Sequence, residues 1–324
     1  MNSMRDTVAG DSAAAVAGDS MAAAVSDSPA AAVASPAAPA PSKPAKPAAQ
    51  PTAAQPKTPA NDSPPQTPSG PMLISAREDG IETLTLNRPA QYNALSEELL
   101  DDLAAALDRV ASDESIRVVI LAAAGKAFCA GHDLKQMRAN ANRAYQQALF
   151  AKCSAIMTRL PALPQPVIAR VQGMATAAGC QLVASCDLAV AAAGAQFAVS
   201  GVRVGLFCST PAVALSRNVA RKRALDMLLT GDFIDAATAR EYGLVNRVVD
   251  AAELDAAAGE LARSIAAKPP RVIQLGKRRF YEQLKLGLGD AYQLATDAMA
   301  DNMLFDETRE GIDAFIEKRR PNWN

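Results

Sequence analysis

Two turns of small residues decide the fold of this chain: Phe128-Cys-Ala-Gly-His-Asp-Leu134 and Ala175-Thr-Ala-Ala-Gly-Cys-Gln-Leu182. Each turn opens onto a helix-like run, and each comes after a β-like apolar run, at 118–122 and at 167–171. Backbone N–H groups at the start of a helix are unpaired and point outward. Two such turns side by side would offer a pair of N–H donors to a negatively charged oxygen. Two ordinary βα turns of an α/β sheet are the alternative interpretation.

The segments around these turns alternate between strand and helix patterns. Residues 81–86 alternate apolar and polar side chains, which is typical of a half-buried strand. Ser96 and the two glutamates after it predict a capped helix, followed by apolar residues at helical spacing. Further predicted elements are strands at 118–122, 167–171 and 188–192 and a helix at 145–159. This alternation predicts βαβ units and a mostly parallel sheet.

The pattern after Pro211 is helical. The predicted helices lie at about 212–229, 235–241, 251–267, 271–285 and 288–305, with a last segment near 307–318.

The first 71 residues differ in composition from the rest of the chain. They hold 13 of the 21 prolines and no aromatic residue. Such a segment cannot bury enough apolar surface to offset its ordering entropy, so we predict a disordered Ala/Pro-rich tail at 1–71 and one folded α/β domain at 72–324. The tail also lacks the features of a secretory signal and makes a poor mitochondrial presequence.

Composition excludes several classes of function. The formal net charge of −1 over 324 residues gives no reason to expect a nucleic-acid or membrane-surface partner. The five cysteines lack metal-ligand spacing and read as buried reduced thiols, so no metal site is predicted. His132 is the single histidine, which excludes a Ser-His-Asp triad as well as metal sites that need two histidines. Dinucleotide and ATP-binding loops are missing from the sequence.

An ordered set of short motifs over about 75–323 resembles the crotonase (enoyl-CoA hydratase/isomerase) superfamily. Two of its runs, at 175–187 and 204–211, are similar to one branch of that superfamily in particular. The set comprises Leu86-Asn-Arg-Pro89, Asn93-Ala-Leu95, the two turns quoted above, Pro166-Val-Ile-Ala169, Gly173, Cys186-Asp187, Phe197, Gly205, Leu229-Thr-Gly231, Ala239, Gly243-Leu-Val245, Glu310-Gly311 and Phe315.

The resemblance implies a fold, a ligand and an assembly. The fold would be a spiral of ββα units at about 72–265, followed by a helical C-terminal subdomain at about 266–324 that mediates trimerisation. Trimers of this superfamily often pair into hexamers. The ligand would be an acyl-CoA thioester, with no cofactor, because CoA is part of the substrate. The compartment would be the cytoplasm, or the mitochondrial matrix if the source is eukaryotic.

The same resemblance assigns the reaction centre. The backbone N–H groups of His132 and Ala178 would hold the enolate oxygen of the thioester. The two glutamates that move protons in hydratases of this superfamily match Gln181 and Gly201, and neither residue can act as a general acid or base. Ordinary hydration of an enoyl-CoA is therefore in doubt, and enzymatic activity itself stays open.

Two further readings remain beside hydration. Methylmalonyl-CoA decarboxylases of the superfamily also carry Ala-Gly-His-Asp, and decarboxylation needs an oxyanion hole but no glutamate pair. A non-catalytic acyl-CoA binder is the other reading. Cys208, Ser209 and Thr210 lie where other members place alternative catalytic side chains, although turn formation is their alternative role.

The CoA contacts are also assigned by resemblance. The backbone of Ala130, Asp133 and Leu134 would line the pantetheine and adenine path, and Lys135 would lie on the adenine side. The basic clusters Lys277-Arg-Arg279 and Lys318-Arg-Arg320 would supply phosphate contacts, Lys318 from a neighbouring subunit, unless they form solvated helix faces.

Overall fold

A computed structural model describes residues 70–323 of the chain. The tail predicted at 1–71 lies outside the described residues, except for Gly70 and Pro71. Within the described part, the strands are β1 (Leu73–Glu78), β2 (Ile81–Leu86), β3 (Val118–Ala123), β4 (Ala127–Cys129), β5 (Val167–Val171), β6 (Met174–Thr176), β7 (Leu188–Ala192), β8 (Gln196–Ala198), β9 (Ile234–Asp235) and β10 (Arg247–Val249).

Helices follow the strands and dominate the C-terminal third. They are α1 (Glu97–Ser112), α2 (Leu134–Ala139), α3 (Arg143–Ala162), α4 (Ala178–Ser185), α5 (Ser209–Asn218), α6 (Arg221–Thr230), α7 (Ala236–Glu241), α8 (Leu254–Ala266), α9 (Pro270–Gln283), α10 (Leu288–Met303) and α11 (Asp306–Ile316). Short 3-10 turns lie at Pro89–Gln91, Ser200–Val204 and Ala251–Glu253.

The strands form two sheets. The larger has the order β1-β2-β3-β5-β7-β10 and is parallel except for the β1–β2 pair. The smaller has the order β4-β6-β8-β9, and only its β8–β9 pair is antiparallel. In three successive units, β3–β4, β5–β6 and β7–β8, the first strand joins the larger sheet, the second joins the smaller sheet, and a helix follows. The predicted spiral of ββα units with helices at the C-terminal end is confirmed.

The larger sheet is buried on both faces. Alternate β3 residues belong to two different apolar clusters: Val119 and Leu121 pack with the main core, whereas Val118 and Ile120 pack against α8. All six residues of β3 are buried, which explains why its sequence is a continuous apolar run. The half-buried pattern predicted for β2 is also found, with Leu84 and Leu86 inside.

The capped helix predicted after Ser96 is present as α1. The Ser96 side chain accepts a hydrogen bond from the Leu99 backbone N–H at 3.4 Å. Glu97 and Glu98 lie in the first turn, where acidic side chains favour the positive end of the helix dipole.

One helix prediction is wrong in its extent. The segment predicted as a single helix at about 212–229 forms two helices, α5 and α6, because Val219 and Ala220 adopt extended backbone conformations between them. Asn218 closes α5 with its side-chain amide, which donates to Ala214 O at 2.9 Å and to Ala184 O at 2.8 Å. The second of these bonds fixes the end of α5 beside α4.

No helix among residues 70–323 is long and apolar enough to cross a membrane. The separate boundary predicted between 265 and 266 stays a prediction, although α9, α10 and α11 do follow it.

Candidate active site

The two small-residue turns lie side by side because the strands before them are paired. Strands β4 and β6 are parallel neighbours, with Ala127 opposite Met174 and Cys129 opposite Ala175. Carboxyl ends of parallel strands meet at one edge of a sheet, so the turn after Cys129 and the turn after Thr176 emerge together. Neither short strand was predicted from the sequence, which indicated only the preceding buried strands β3 and β5.

Glycine residues allow the close contact between the turns. A Cβ atom on Gly179 would lie 2.1 Å from the carbonyl oxygen of Cys129. Gly131 has a φ of +92°, and a Cβ there would lie 3.0 Å from the Ala177 Cβ and 3.2 Å from the Ala178 nitrogen. Gly179 is therefore required by the contact itself, and Gly131 by its left-handed backbone at a close contact.

The first turn pairs the backbone N–H groups on both sides of His132. Ala130 donates to Tyr92 O at 3.0 Å, Gly131 to Cys129 Sγ at 3.4 Å, and Asp133 to Leu95 O at 3.2 Å. The His132 N–H has no acceptor among residues 70–323. It is thus a free donor at the contact between the two turns.

In the second turn, the Ala178 N–H is unpaired because of its place at the start of a helix. Ala178 is the first residue of α4, and such N–H groups have no intrahelical acceptor. The preceding N–H, that of Ala177, is taken by Ala198 O at 3.0 Å, whereas Ala178 N–H finds no acceptor in the described part of the chain. Ala177 itself has φ 50° and ψ −119°, a conformation that L-residues rarely adopt.

The first donor does not lie in a helix, contrary to the sequence-based prediction. Helix α2 begins at Leu134, and Asp133 is its N-cap, since its carboxylate accepts from Lys135 N at 3.1 Å and Gln136 N at 3.3 Å. His132 precedes that cap. The His132 N–H is therefore not one of the unpaired donors of the first helical turn.

The His132 ring is enclosed beside its own free N–H. Its ring packs edge-on against Phe150, with ring centroids 5.3 Å apart. Both ring nitrogens are buried, and neither has a hydrogen-bond partner within residues 70–323. Burial lowers the pKa of the imidazole to about 4. The ring is therefore neutral at pH 7.

Gln181 lies one helical turn after Ala178 and is 4% exposed. Its Oε1 is buried without a partner among the described residues. Side chains on a helix generally lean toward its N-terminus, which is the end of α4 that carries the Ala178 N–H.

The surroundings of Gly201 leave no room for the glutamate that hydratases of the superfamily have at the matching position. It is buried in the 3-10 turn at Ser200–Val204, and its N–H donates to Cys208 Sγ at 3.3 Å. A Cβ here would lie 2.3 Å from Leu206 O and 2.7 Å from Cys208 Sγ. The backbone has closed over the space into which a side chain would start, so a glutamate cannot be restored without moving the loop.

The three polar residues at 208–210 have different surroundings. Cys208 is buried, burial raises the pKa of its thiol, and its Sγ accepts the Gly201 N–H. Ser209 is exposed and Thr210 half-buried at the start of α5. A polar pair that the sequence did not suggest lies closer to the second turn: Thr176 Oγ1 and Ser200 Oγ are 2.7 Å apart.

The predicted CoA contacts fall into two groups. Ala130, Asp133, Leu134 and Lys135 belong to the first turn and the start of α2, and both Leu134 and Lys135 are exposed. Lys318 follows α11 with a left-handed φ of 57°. No backbone hydrogen bond joins Lys318 to the two turns within the described part of this single chain.

One predicted phosphate contact is wrong. Lys277 is buried, and its Nζ donates to Leu160 O at 2.9 Å, to Gln165 O at 2.8 Å and to Asp187 at 2.6 Å. The Lys277 ammonium group therefore links α9 to the start of β7. A groove of about 400 Å³ lies beside this ion pair, and none of its lining residues belongs to the two turns.

Comparison with known proteins places this arrangement in a family. Residues 76–324 match the protein family described as "Enoyl-CoA hydratase/isomerase". The mitochondrial enoyl-CoA hydratase domain-containing protein 3 of Rattus norvegicus is 46% identical over 268 residues, which cover 82% of this chain and 89% of the relative. Enoyl-CoA hydratase EchA19 of Mycobacterium tuberculosis is 36% identical, covering 79% of this chain and 97% of the relative.

Solved structures agree with these relatives. The crystal structure of an enoyl-CoA hydratase from Mycobacterium smegmatis is 55% identical with a TM-score of 0.78, and it covers 78% of this chain and 99% of that one. The human enoyl-CoA hydratase domain-containing protein 3 is 45% identical with a TM-score of 0.76, covering 78% of this chain and 100% of that one. The predicted superfamily is confirmed, and so is the predicted likeness to the domain-containing protein 3 branch.

Proposed function

Because the chain belongs to the enoyl-CoA hydratase/isomerase family, we propose that it binds an acyl-CoA thioester and stabilises an enolate formed from it. The observation that carries this proposal is the pair of free N–H groups, His132 and Ala178, in two turns that touch. A thioester carbonyl oxygen placed between them accepts two hydrogen bonds, and these strengthen as negative charge develops on the oxygen. The α-proton of the acyl group thereby becomes more acidic.

The proposal does not extend to ordinary hydration. Syn-addition of water needs groups that give and take protons, and the two matching positions hold an amide, Gln181, and a glycine, Gly201. The neutral His132 ring is a weak base, because burial holds its pKa at about 4. The protein therefore polarises the thioester but has no strong base beside it.

A decarboxylase-like reaction is the second candidate, and the missing carboxylates favour it over hydration. In that reaction the bond between Cα and a carboxylate breaks, CO₂ leaves, and the bonding electron pair forms the enolate, which then takes a proton from solvent. No protein base is required for the first step. A non-catalytic acyl-CoA binder is the remaining candidate, because binding needs only the two donors.

Four assays on the full chain separate these candidates. We expect crotonyl-CoA hydration near background, slow exchange of the α-protons of butyryl-CoA with deuterated solvent, and binding of both thioesters by calorimetry. Loss of CO₂ from methylmalonyl-CoA would identify the decarboxylase-like reaction, and binding without any turnover would identify the non-catalytic binder. A hydration rate typical of a hydratase, retained when Cys208, Ser209 and Thr210 are each replaced by Ala, would contradict the proposal.

We also propose a homo-trimer or hexamer. Its support is the number of large apolar side chains that the C-terminal helices expose, including Leu304 at 83% and Phe315 at 84%. Surfaces of this kind on soluble domains are usually covered by another chain. Sedimentation velocity of the full chain, compared with a Phe315→Glu variant, would test the assembly.

The proposed reaction uses no cofactor, since CoA belongs to the substrate. Several curated relatives are named as mitochondrial, and others come from bacteria. We accordingly propose the mitochondrial matrix for a eukaryotic source and the cytoplasm for a bacterial one. Fractionation of the source cells would decide between them.

A further inference from the structure

We propose that Asn93 is a positioning residue that keeps the His132 N–H free and in place for the ligand oxygen. The proposal rests on the proposed function, because it concerns one of the two donors assigned there. Asn93 does not touch the turn at His132. It acts through residues 88–95, which are called the backing segment below.

The backing segment lies along the first turn and occupies the groups on both sides of His132. Tyr92 O accepts the Ala130 N–H at 3.0 Å, and Leu95 O accepts the Asp133 N–H at 3.2 Å. Leu95 N–H in turn donates to Gly131 O at 2.8 Å, which makes Leu95 and His132 an isolated parallel bridge. In such a bridge the N–H of the opposed residue points away from the partner segment, so the backing segment turns the His132 N–H to the opposite side.

Asn93 fixes the shape of the backing segment. It is fully buried, and its side-chain amide donates to Ala124 O at 2.9 Å and to Ala127 O at 2.8 Å. Its Oδ1 accepts the Arg88 backbone N–H at 2.8 Å. One side chain therefore ties the start of the segment to the strand that carries the turn.

The backbone at this position also favours asparagine. Tyr92 and Asn93 are consecutive left-handed residues, with φ of 51° and 55°. Asparagine is one of the few residues other than glycine that adopt this conformation readily. The left-handed pair reverses the chain between Tyr92 O and Leu95, the two points where the segment holds the turn.

Arg88 links the start of the backing segment to the residue after His132. Its side chain is 11% exposed, and its guanidinium donates to Ala94 O and pairs with Asp133 at 3.3 Å. The Asp133 carboxylate also caps α2. The turn is thus held before His132 by Tyr92 and after it by Leu95 and Arg88.

The single histidine of the chain gives this proposal a direct test. Full-length protein made without a polyhistidine tag and labelled with ¹⁵N-histidine yields one backbone amide signal, that of His132. The signal would be recorded alone, with free CoA and with butyryl-CoA. The variants are Asn93→Gly, which keeps the left-handed backbone but removes the side-chain bonds, and the milder Arg88→Met.

Gln165→Ala is the matched control. Gln165 is also a buried amide that donates to two backbone carbonyls, Val110 O at 2.9 Å and Asp113 O at 3.3 Å, but it lies outside the backing segment. Melting temperatures of all variants would be compared. If Asn93→Gly and Gln165→Ala lower the melting temperature by similar amounts, a difference between their His132 signals cannot come from a general loss of stability.

We expect butyryl-CoA, and not free CoA, to move the wild-type signal. In Asn93→Gly the unliganded signal should shift or broaden, and the ligand-induced movement should fall about two-fold or more, since a displaced donor makes a longer and weaker hydrogen bond. Arg88→Met should have an intermediate effect, and Gln165→Ala should behave as the wild type.

Two results would overturn the inference: an Asn93→Gly signal that matches the wild type in position, width and response, or a Gln165→Ala signal that changes as much as that of Asn93→Gly. If butyryl-CoA leaves the wild-type signal unmoved, the proposed function fails by itself. The unliganded signals of the variants still decide whether Asn93 positions the His132 N–H.

Discussion

The His132 N–H and the Ala178 N–H lie in neighbouring turns, and residues 70–323 leave each of them without an acceptor for a different reason. The first turn is bonded on both sides of His132 by residues 92 and 95, which are remote in sequence. The second donor is free because a helix begins at Ala178, after a residue with the unusual φ of 50°. The first donor therefore depends on long-range hydrogen bonds, and the second on local backbone geometry.

The difference determines which substitutions each donor tolerates. Substitutions at His132 keep the first N–H if the backing segment is intact, whereas the second turn has no room for a side chain at Gly179. The contact between the turns is the one feature on which both donors depend.

The largest effect should come from Gly179→Ala, which would show how far both donors depend on that contact. The new Cβ would start 2.1 Å from Cys129 O, so the turns must separate. We expect a loss of about 3 kcal/mol in the free energy of unfolding, as for severe overpacking. Displacement of both donors should lower any enolate-forming rate by more than about 10³-fold.

Gly194→Ala is the control for this substitution, because a Cβ at Gly194 meets nothing within 4 Å. Denaturant unfolding and α-proton exchange of butyryl-CoA would be measured for both variants. Equal behaviour of the two variants would show that the contact between the turns is not tight in solution.

Ala178→Pro should have the next largest effect, because it removes the second donor alone. Proline is tolerated at the first position of a helix, so α4 should survive. The rate of α-proton exchange should fall about 10²–10³-fold, the usual cost of one oxyanion-hole donor. Ala178→Ser keeps the N–H and serves as the control.

His132→Ala completes the comparison of the donors. It keeps the first N–H, so we expect a smaller loss than with Ala178→Pro. An equal loss in a folded His132→Ala protein would mean that the imidazole itself takes part in the chemistry.

The sequence predicted those parts of the fold that local patterns encode. Alternation at 81–86, the Ser96 cap and the buried run at 118–122 each correspond to an element of the structure. The strands β4, β6 and β8 were missed because each has three residues, too few to show a period. The break at Val219 was missed because the apolar spacing continues across it.

The candidate site was predictable only in part. The identity of the two donors came from the resemblance to a family, since an N–H carries no side-chain signal. The role of Asn93 depends on bonds to Ala124 and Ala127, more than 30 residues away, which no local pattern shows. The sequence showed only that an asparagine begins the run Asn93-Ala-Leu95, which gives no sign of its bonding partners.

A pH dependence should distinguish the first turn from the second, since only the first carries an imidazole. Burial lowers the pKa of His132 to about 4 in the folded protein, whereas it is about 6.5 in an unfolded chain. Below pH 6.5 the unfolded state takes up the proton first, so stability falls as the pH falls toward 4. We expect a loss of about 2 kcal/mol between pH 8 and pH 5.

His132→Gln should remove most of this dependence above pH 5, because the chain has no other histidine. Urea unfolding at several pH values would measure it. A wild-type stability that does not change between pH 8 and pH 5 would indicate that the ring is solvated or protonated in the folded state.

The smallest change in stability is expected for Ala177→Gly, which tests the backbone strain in the second turn. A non-glycine residue at φ 50° and ψ −119° carries strain of about 1–3 kcal/mol. Glycine relieves that strain. It also raises the conformational entropy of the unfolded chain, which lowers the free energy of unfolding by about 0.4–1 kcal/mol. The net result should be a stabilisation of about 1 kcal/mol, which raises the melting temperature by about 2–4 °C in a domain of this size.

The function of Ala177→Gly should change little, because the backbone already has a conformation that glycine accepts. Scanning calorimetry and α-proton exchange would be measured on the same preparation. A lower melting temperature would show that the Ala177 methyl group, which packs against the main core, outweighs the strain. A higher melting temperature with a slower exchange would show that the methyl group is needed to aim the Ala178 donor, so that the second turn, like the first, depends on packing beyond its own backbone.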